Sequence, residues 1–349
     1  MPAAPLDFAR SPSTVVWETT HSCELACAYC RDASDATLDP RELNTDEGLR
    51  LVDQAADLGA RTLVFSGGDP LVRLDLEILV RRARSRELRS GALPAATRRL
   101  TKERLAALKS AGLDYAAFSL DGAIALDHDS FRRAPGAFAR AVEAAAWAAD
   151  LGLAAEINTC LGAWNVESLE SIIRLVSSLP IARWNVYFLV PLERGGPLAG
   201  LTPAQFEIVF DRLYRLTFEA DFDVNLVEGQ HFRRFVARRE APGEAAADAV
   251  ADRAVNAGDG TMFVDHVGAI CPSEFLREPR GDIRSGSLAS VYRDDPLFVA
   301  LRDRGRLTGK CWVCEYRQIC GGSRARAPAA TGDAWAPDPA CSYVPAIMR

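Results

Sequence analysis

Short apolar runs and longer amphipathic segments alternate along the chain up to about residue 200. The apolar runs have the length of strands and are bounded by polar or glycine-containing turns, which predicts buried β-strands. They cover Thr14–Thr19, Arg61–Phe65, Asp114–Leu120, Ala154–Cys160 and Trp184–Val190. Between them, apolar residues recur at helical spacing over Gly136–Leu151 and Val166–Ser178, and Asn44 with Glu47 forms the capping signature of a further helix. This alternation predicts an α/β fold whose parallel sheet forms a barrel or part of one.

The alternation ends near residue 200, and a different pattern follows. A helix is predicted over Thr202–Glu219 and a strand over Phe222–Val227, whereas residues 240–260 are rich in Ala, Gly, Asp and Glu and predict a mobile loop or linker. A hairpin is predicted over Thr261–Ile270, and a single helix over Leu288–Leu301. We therefore divide the chain into a core at 1–200, a bridging helix and linker at 201–260, and a small domain at 261–349.

Composition narrows the class of protein without giving its function. Of 349 residues, 48% are apolar and 25% are charged, the proportions of an ordinary globular protein. A formal net charge of −6 argues against a nucleic acid or an anionic membrane as the main partner, and no apolar run is long enough to span a membrane. The first residues lack the build of a signal peptide, so we expect a cytoplasmic location. In that reducing compartment, nine cysteines are expected to be metal ligands before disulfides.

Three of the cysteines form a C-x3-C-x2-C motif directly after the first predicted strand. We call Cys23, Cys27 and Cys30 the cysteine triplet. Three thiolates on one loop can hold three irons of a cubane cluster and leave the fourth iron open, as a catalytic metal requires. The alternative is a structural zinc loop, although a structural zinc takes four protein ligands and the next cysteine is only Cys160.

Four further cysteines lie near the carboxyl terminus. Cys311 and Cys314 form a C-x2-C pair, Cys320 follows after five residues and Cys341 after twenty more. We call these four residues the cysteine quartet. Four thiolates complete the coordination of a 4Fe–4S cluster, so such a site would transfer electrons or stabilise structure without an open iron. The spacing alone is also compatible with a four-cysteine zinc ribbon.

From about Thr14 to Cys341, the chain resembles the radical S-adenosylmethionine (SAM) enzymes. Around the cysteine quartet, Gly321–Ala327 and Asp338–Cys341 are similar to the SPASM or twitch extension of these enzymes. The sequences of these motifs most resemble those of the branch that modifies tetrapyrroles. The resemblance implies a partial (β/α)6 TIM-like barrel of the radical SAM type with a small C-terminal iron–sulfur domain. It also implies SAM and two 4Fe–4S clusters, one on the triplet and one on the quartet.

For the reaction, the resemblance implies reductive cleavage of SAM to a 5′-deoxyadenosyl radical that abstracts a hydrogen atom from the substrate. The tetrapyrrole branch implies a small carboxylated substrate and side-chain decarboxylation. The alternative is a maturase that oxidises, cross-links or epimerises a ribosomally made peptide. An external electron donor such as flavodoxin or ferredoxin is implied in both cases. A non-catalytic iron–sulfur electron carrier is a third interpretation, but a carrier has no use for a SAM site.

Several residues at strand ends match SAM-binding positions of the family. Gly67-Gly68-Asp69 matches the Gly-Gly-Glu turn whose backbone receives the methionine amino group, and glycine allows that close approach. The other positions carried over are Tyr29 beside adenine, Ser119 and Asp121 in a Ser-Leu-Asp-Gly motif, Arg132 as a partner of the methionine carboxylate, and Asn158. The structural alternatives are an ordinary turn for Asp69-Pro70, a core aromatic residue for Tyr29 and an exposed surface arginine for Arg132. The third-strand region, Leu93–Thr97, lacks the Asn-Gly pair often found there.

Departures from the family pattern leave four residues to explain. A full SPASM domain has a further cluster, but Gly286 and Arg324 stand where it has cysteines, so we expect no such cluster. Cys160 and Cys271 then remain as small buried residues, with a hydrogen-donating or substrate-binding thiol as the alternative for Cys271. Arg324 and Arg326 are candidates to pair with substrate carboxylates, the alternative being that they balance cluster charge or face water.

Overall fold

A computed structural model describes residues 7–31, 34–240 and 255–349. Within them, seven strands lie side by side in chain order, each parallel to the next. They are β1 (Thr14–Glu18), β2 (Thr62–Ser66), β3 (Arg89–Ala92), β4 (Tyr115–Ser119), β5 (Ala154–Leu161), β6 (Arg183–Phe188) and β7 (Asp223–Val227). The predicted α/β fold with a parallel sheet is confirmed, and the parallel run continues past residue 200 through β7.

Helices connect these strands and pack on the sheet. They are α1 (Thr45–Asp57), α2 (Leu76–Ser85), α3 (Lys102–Ala111), α4 (Ala125–Arg132), α5 (Ala137–Asp150), α6 (Leu169–Ser177), α7 (Pro203–Glu219) and α8 (Phe232–Glu240). The capping signature of α1 is confirmed, because the Asn44 side chain accepts from the Glu47 N–H and the Glu47 carboxylate accepts from the Asn44 N–H. This reciprocal pair satisfies backbone donors that the first turn of a helix leaves open.

The main hydrophobic core lies between the sheet and the helices. Trp17 of β1 and Trp184 of β6 are fully buried in it. A side chain at Gly48 of α1 would overlap the Trp17 ring, so glycine is needed there for close packing. Because successive residues of a strand point to opposite faces, Glu18 and Asn185 lie on the face opposite these tryptophans. That opposite face carries the polar groups of the site.

The C-terminal residues extend the same sheet beyond β1. They add β8 (Asn256–Ala257), β9 (Gly260–Val264), β10 (Ala269–Cys271) and β11 (Gly281–Asp282). Strand β9 is parallel to β1, while β10 and β11 continue in antiparallel pairing. The predicted hairpin is thus confirmed as β9–β10. The predicted division at residues 200 and 260 stays a prediction, and residues 241–254 of the predicted linker lie outside the described residues.

One predicted helix is wrong, and one strand was not predicted. The single helix expected over Leu288–Leu301 is two helices, Leu288–Asp294 and Pro296–Arg302. Proline has no N–H to continue a helix, and the Asp295 side chain caps the second helix. Strand β3 was not among the predicted strands, and Leu93–Thr97 forms the loop that follows it. Among the helices of the described residues, none has the length and apolarity that crossing a bilayer requires.

Candidate active site

A cavity opens at the carboxyl ends of the parallel strands, where ligands bind in folds of this kind. The loops after β1, β2 and β4 bring the predicted residues together there. The residues predicted from sequence that line it are the cysteine triplet, Tyr29, Gly67, Gly68, Ser119, Arg132 and Asn158. The predicted residues that do not line it are Asp69, Asp121, Cys271, Arg324, Arg326 and the cysteine quartet.

The cysteine triplet is largely buried beside this cavity. Burial raises the pKa of Cys23 to about 12, and burial likewise raises the pKa of Cys27. The thiolate is the form that binds metal, so deprotonation here requires a compensating cation. The Leu25 N–H donates to Cys23 Sγ at 3.4 Å, and Arg132 Nη1 lies 3.6 Å from Cys27 Sγ. Buried sulfurs that accept hydrogen bonds beside a cavity fit the ligand set of an iron–sulfur cluster.

The Gly67–Gly68 turn packs directly on the backbone of the cysteine loop. The Gly68 N–H donates to the Thr20 carbonyl and the Asp69 N–H to the Ser22 carbonyl, both at 2.8 Å. Gly67 has a φ of 135°, and a Cβ on Gly68 would overlap the Ser22 carbonyl oxygen. Two backbones can approach this closely only where side chains are missing. The glycines therefore fix the cysteine loop to the end of β2.

Asp69 supports the cavity from outside. Its carboxylate accepts from the Thr97 hydroxyl at 2.7 Å, from the Leu71 N–H at 3.1 Å and from the Ala95 N–H at 3.3 Å. Burial nevertheless raises the pKa of this carboxyl group, because desolvation outweighs the hydrogen bonds. Asp69 thus connects the turn after β2 to the loop after β3, and its side chain does not line the cavity.

Arg132 and Asp121 form a buried ion pair behind Tyr29. Arg132 Nε and Nη2 lie 2.8 Å and 2.7 Å from Asp121 Oδ2, and Nη2 also donates to the Tyr29 hydroxyl. The other carboxylate oxygen of Asp121 accepts from the Cys160 N–H at 2.8 Å. Arg132 is therefore not the exposed arginine considered from sequence. Asp121 does not line the cavity; its carboxylate positions Arg132 and binds the backbone of β5.

Tyr29 belongs to an aromatic stack at the same wall. Its ring stacks on Phe131 with centroids 5.3 Å apart, and Phe131 stacks on Trp164 at 4.7 Å. The Arg132 guanidinium lies over the Tyr29 ring, 5.0 Å from its centroid. Burial raises the pKa of the Tyr29 hydroxyl well above its usual value, so this group stays protonated. The stack holds Tyr29 in one orientation at the cavity.

A polar ladder across β5, β6 and β7 was missed by the sequence analysis, apart from Asn158. Asn185 Nδ2 donates to Asn158 Oδ1 and to Glu156 Oε2, both at 2.9 Å. Asn225 Nδ2 in turn donates to Asn185 Oδ1 at 2.9 Å. The parallel register places Asn158, Asn185 and Asn225 side by side. Polar residues interrupting apolar strand patterns were the available signal, and the ladder orients Asn158 at the cavity.

Further residues that line the cavity were not predicted from the sequence, or were predicted in another role. Arg31, Tyr187, Glu274 and Phe275 line the cavity, and so does Cys160, which was expected to be a small buried residue. Arg31 lies 3.9 Å from Glu274 in an ion pair and 5.6 Å from the centroid of the Phe275 ring. The segment after β10 thereby brings the C-terminal part of the chain to the cavity. In the sequence, Arg31 directly follows Cys30, and Glu274 and Phe275 lie shortly after Cys271. These neighbouring cysteines were the signal that could have indicated them.

The cysteine quartet lies apart from this cavity. Burial raises the pKa of Cys314 to about 11, and burial also raises the pKa of Cys311 and Cys320. Among the described residues, no three of these sulfurs come within 4.8 Å of one another. Four thiolates around one tetrahedral zinc with bonds of about 2.3 Å would lie about 3.8 Å apart. The quartet is therefore not drawn together as the four ligands of one zinc ion would be.

Arg324 has a different place from the one predicted. It is 0 % exposed, and its guanidinium donates to the carbonyls of Ala334 and Gly322. Its Nη2 is buried with no hydrogen-bond partner among the described residues. Desolvation lowers the pKa of Arg324, whereas the nearby thiols of Cys311 and Cys320 act in the opposite direction. A buried guanidinium beside these thiols, away from the cavity, favours the alternative that Arg324 balances cluster charge over the predicted contact with substrate.

Arg326 and Cys271 are also held away from the cavity. Arg326 Nη1 lies 3.0 Å from Asp338 Oδ2, and its Nη2 donates to the Glu228 carbonyl, so both arms have internal partners. These internal partners favour a structural role for Arg326 over the predicted contact with substrate. Cys271 is 2 % exposed within β10, and burial raises the pKa of its thiol to about 12. This placement favours the small buried residue over the substrate-binding thiol.

Comparison with known proteins identifies the family. The model of the radical SAM superfamily matches residues 17–176. The AdoMet-dependent heme synthase of Nitratidesulfovibrio vulgaris (strain Hildenborough) is 32% identical, over 98% of this chain and 95% of that protein. The chain belongs to the radical SAM superfamily. As a radical SAM enzyme it uses SAM and a 4Fe–4S cluster, and the electron-carrier interpretation is set aside.

Two further comparisons place this radical SAM enzyme among its relatives. The PqqA peptide cyclase of Rhodopseudomonas palustris is 31% identical, over 96% of this chain and 88% of that protein. The solved structure of Streptococcus suis SuiB bound to S-adenosylmethionine matches with a TM-score of 0.74 and 16% identity, over 96% of this chain and 78% of that chain. At that identity the structural likeness supports the fold alone.

Proposed function

We propose that this radical SAM enzyme abstracts a hydrogen atom from a side chain of a carboxylated tetrapyrrole and decarboxylates that side chain. The observation that carries the proposal is the cavity beside the cysteine triplet. Its lining combines the aromatic residues Tyr187, Phe188 and Phe275 with the cation of Arg31. A flat, largely apolar ring with anionic side chains is complementary to such a lining. Similarity to a heme synthase along nearly the whole of both chains supports the same substrate class.

The cysteine triplet would hold the cluster that SAM approaches. The N–H groups of Gly68 and Asp69 already donate to the cysteine loop, so the carbonyl oxygens of this turn would receive the methionine ammonium. Tyr29 would lie beside adenine, with Ser119 and Asn158 toward the ribose. When bound, the cluster supplies the electron that cleaves SAM to the 5′-deoxyadenosyl radical. The apolar lining of the cavity would keep water from the reacting side chain.

The atoms and electrons of the proposed conversion balance as follows. One C–H bond of the substrate side chain breaks, and its hydrogen atom leaves with the 5′-deoxyadenosyl group. Cleavage of the bond to the carboxylate carbon releases CO2, and removal of one further electron leaves an alkene. That electron requires a one-electron acceptor of the iron–sulfur or flavin class. The substrate is therefore oxidised while SAM is reduced and cleaved.

We also propose that the cysteine quartet holds a second 4Fe–4S cluster. The spacing of the four cysteines in the sequence and the buried Arg324 beside Cys311 and Cys320 support it. A flavodoxin or a ferredoxin would supply electrons from outside. Iron analysis of the reconstituted protein is expected to give about eight irons per chain, since each cubane holds four. Zinc at the quartet, or about four irons in the wild-type chain, would contradict the second cluster.

The proposed substrate is tested by anaerobic turnover with SAM, dithionite and an iron porphyrin that carries propionate side chains. We expect 5′-deoxyadenosine whose formation depends on the porphyrin, together with a product that has lost CO2 by mass spectrometry. The matched control is the same porphyrin with esterified side chains, which cannot release CO2 and lacks the negative charge. The proposal fails if acid and ester stimulate SAM cleavage equally without product, or if neither does.

A ribosomally made peptide is the second candidate substrate. The observation that favours it is the similarity to a peptide cyclase over nearly the whole chain. In the same assay, a peptide that stimulates 5′-deoxyadenosine formation and changes mass, with an inert porphyrin, would establish this candidate in place of the tetrapyrrole.

A further inference from the structure

A second group of metal-binding side chains lies outside the active-site cavity. Glu18 ends β1, His21 follows on the loop that leads to the cysteine triplet, and His266 lies in the turn between β9 and β10. Their ligand atoms all lie within 4.8 Å of one another, and the described residues contain no other such group of three. None of the three lines the cavity described above. The group joins the end of β1 to the C-terminal hairpin.

The distances within this group are long for hydrogen bonds. His21 Nδ1 lies 3.4 Å from Glu18 Oε1, and His266 Nδ1 lies 3.3 Å from Glu18 Oε2. Hydrogen bonds of this type usually measure about 2.7–3.2 Å. Neighbouring ligands of a tetrahedral metal ion with bonds of about 2.0–2.1 Å are separated by about 3.3–3.4 Å. The two separations are measured to different oxygens of the Glu18 carboxylate, and each lies close to the distance between neighbouring ligands of one ion.

Two atoms of the group lack hydrogen-bond partners among the described residues. Glu18 is 0 % exposed, and its Oε2 is buried without a hydrogen-bond partner among the described residues. His266 Nδ1 is likewise a buried atom without a hydrogen-bond partner among the described residues. A buried carboxylate oxygen and a buried imidazole nitrogen that face each other without a hydrogen bond both lose hydration. A cation between them would recover that loss.

The second nitrogen of His266 has the partner that metal-bound histidines have. His266 Nε2 lies 3.4 Å from Asp39 Oδ2, an ion-pair distance longer than a usual hydrogen bond, so Nδ1 is left to face Glu18. Histidine ligands usually direct their other ring nitrogen to a carboxylate, which fixes the tautomer and the ring orientation. On the other side, the His21 backbone N–H donates to Glu42 Oε1 at 2.9 Å and anchors the loop. The His266 imidazole thus has a carboxylate behind it, and the backbone of His21 is fixed by Glu42.

We propose that Glu18, His21 and His266 bind one divalent transition-metal ion of the zinc type, separate from both cysteine groups. Two imidazoles and a carboxylate are borderline ligands that suit Zn²⁺. The ion connects β1, the loop ahead of the cysteine triplet and the β9–β10 turn. Arg277 Nη1 lies 3.6 Å from Glu18 Oε2 and competes with the ion for this carboxylate.

The test uses the intact chain with its clusters reconstituted and other divalent ions removed by dialysis. Zn²⁺ is then titrated, and the bound metal is examined at the zinc absorption edge, where iron does not interfere. We expect one Zn²⁺ per chain with nitrogen and oxygen neighbours only. Glu18→Gln and His266→Ala should each weaken binding by at least the 10–100-fold seen when a second-shell partner is lost. Arg277→Gln should tighten it.

Two variants separate the site from general effects. Glu278→Gln alters an exposed acid on the same segment and should bind Zn²⁺ as the wild type does. Asp39→Asn leaves all three ligands in place and should weaken binding about tenfold through His266 alone. Cluster absorption identifies any variant that has failed to fold. Sulfur neighbours around the zinc, no binding by the wild type, or equal binding by wild type, Glu18→Gln and Asp39→Asn would overturn the proposal.

Discussion

Replacing Asp121 by asparagine should destabilise the folded protein by leaving a buried charge unpaired. The new side chain can keep the hydrogen bond from the Cys160 N–H through its amide oxygen. Its NH2 group, however, would face Arg132 Nε and Nη2, which now lie 2.8 Å and 2.7 Å from Asp121 Oδ2. The Arg132 side chain is only 10% exposed, so water screens this charge poorly.

The size of the loss follows from that burial. Removing one partner of a buried ion pair costs about 3–5 kcal/mol, and we expect about 3 kcal/mol because the Tyr29 hydroxyl and the Cys27 sulfur still face the guanidinium. The assay is urea unfolding of the reconstituted protein under anaerobic conditions, followed by tryptophan fluorescence. Glu143→Gln, an exposed acid on α5, is the control and should change the free energy of unfolding by about 0.5 kcal/mol or less.

A double variant tests the cause of the loss. Arg132→Met added to Asp121→Asn removes the unpaired charge, so most of the lost stability should return. An Asp121→Asn protein as stable as Glu143→Gln, or a double variant that is less stable than Asp121→Asn, would refute the argument from a buried charge.

Three further predictions concern the clusters and the glycine turn. Alanine at all three positions of the cysteine triplet should abolish SAM cleavage while the second cluster's absorption persists; loss of both absorptions in a folded protein would contradict separate sites. Cys314→Ala should retain dithionite-driven SAM cleavage and lose product formation, as liquid chromatography of both products would show, and loss of cleavage with the first cluster intact would count against it. Gly68→Ala should weaken SAM binding in calorimetry because the new Cβ overlaps the Ser22 carbonyl oxygen and displaces the turn; unchanged affinity would disprove the need for glycine.

The sequence predicted the site best where chain order and position in space coincide. Parallel strands place their carboxyl ends at one edge, so the cysteine triplet, Gly67 and Ser119 could be expected to meet there. The capping pair Asn44 and Glu47 was equally predictable because both partners lie within one helical turn.

Long-range pairings were not predictable in this way. Arg324 and Arg326 are charged residues in a motif, and their sequence gives no sign that the fold buries them against backbone carbonyls and Asp338. Glu18 and His266 belong to segments that become neighbours only because β9 pairs with β1. No local periodicity carries that information, since the pairing depends on how the C-terminal strands add to the sheet.

The most direct test of the central claim follows the hydrogen atom itself. An iron porphyrin with deuterium on the propionate carbon next to the ring system is turned over anaerobically, and the 5′-deoxyadenosine is analysed by mass spectrometry. We predict that deuterium appears in 5′-deoxyadenosine in proportion to the decarboxylated product. Unlabelled 5′-deoxyadenosine formed alongside decarboxylated porphyrin would contradict hydrogen abstraction from that side chain.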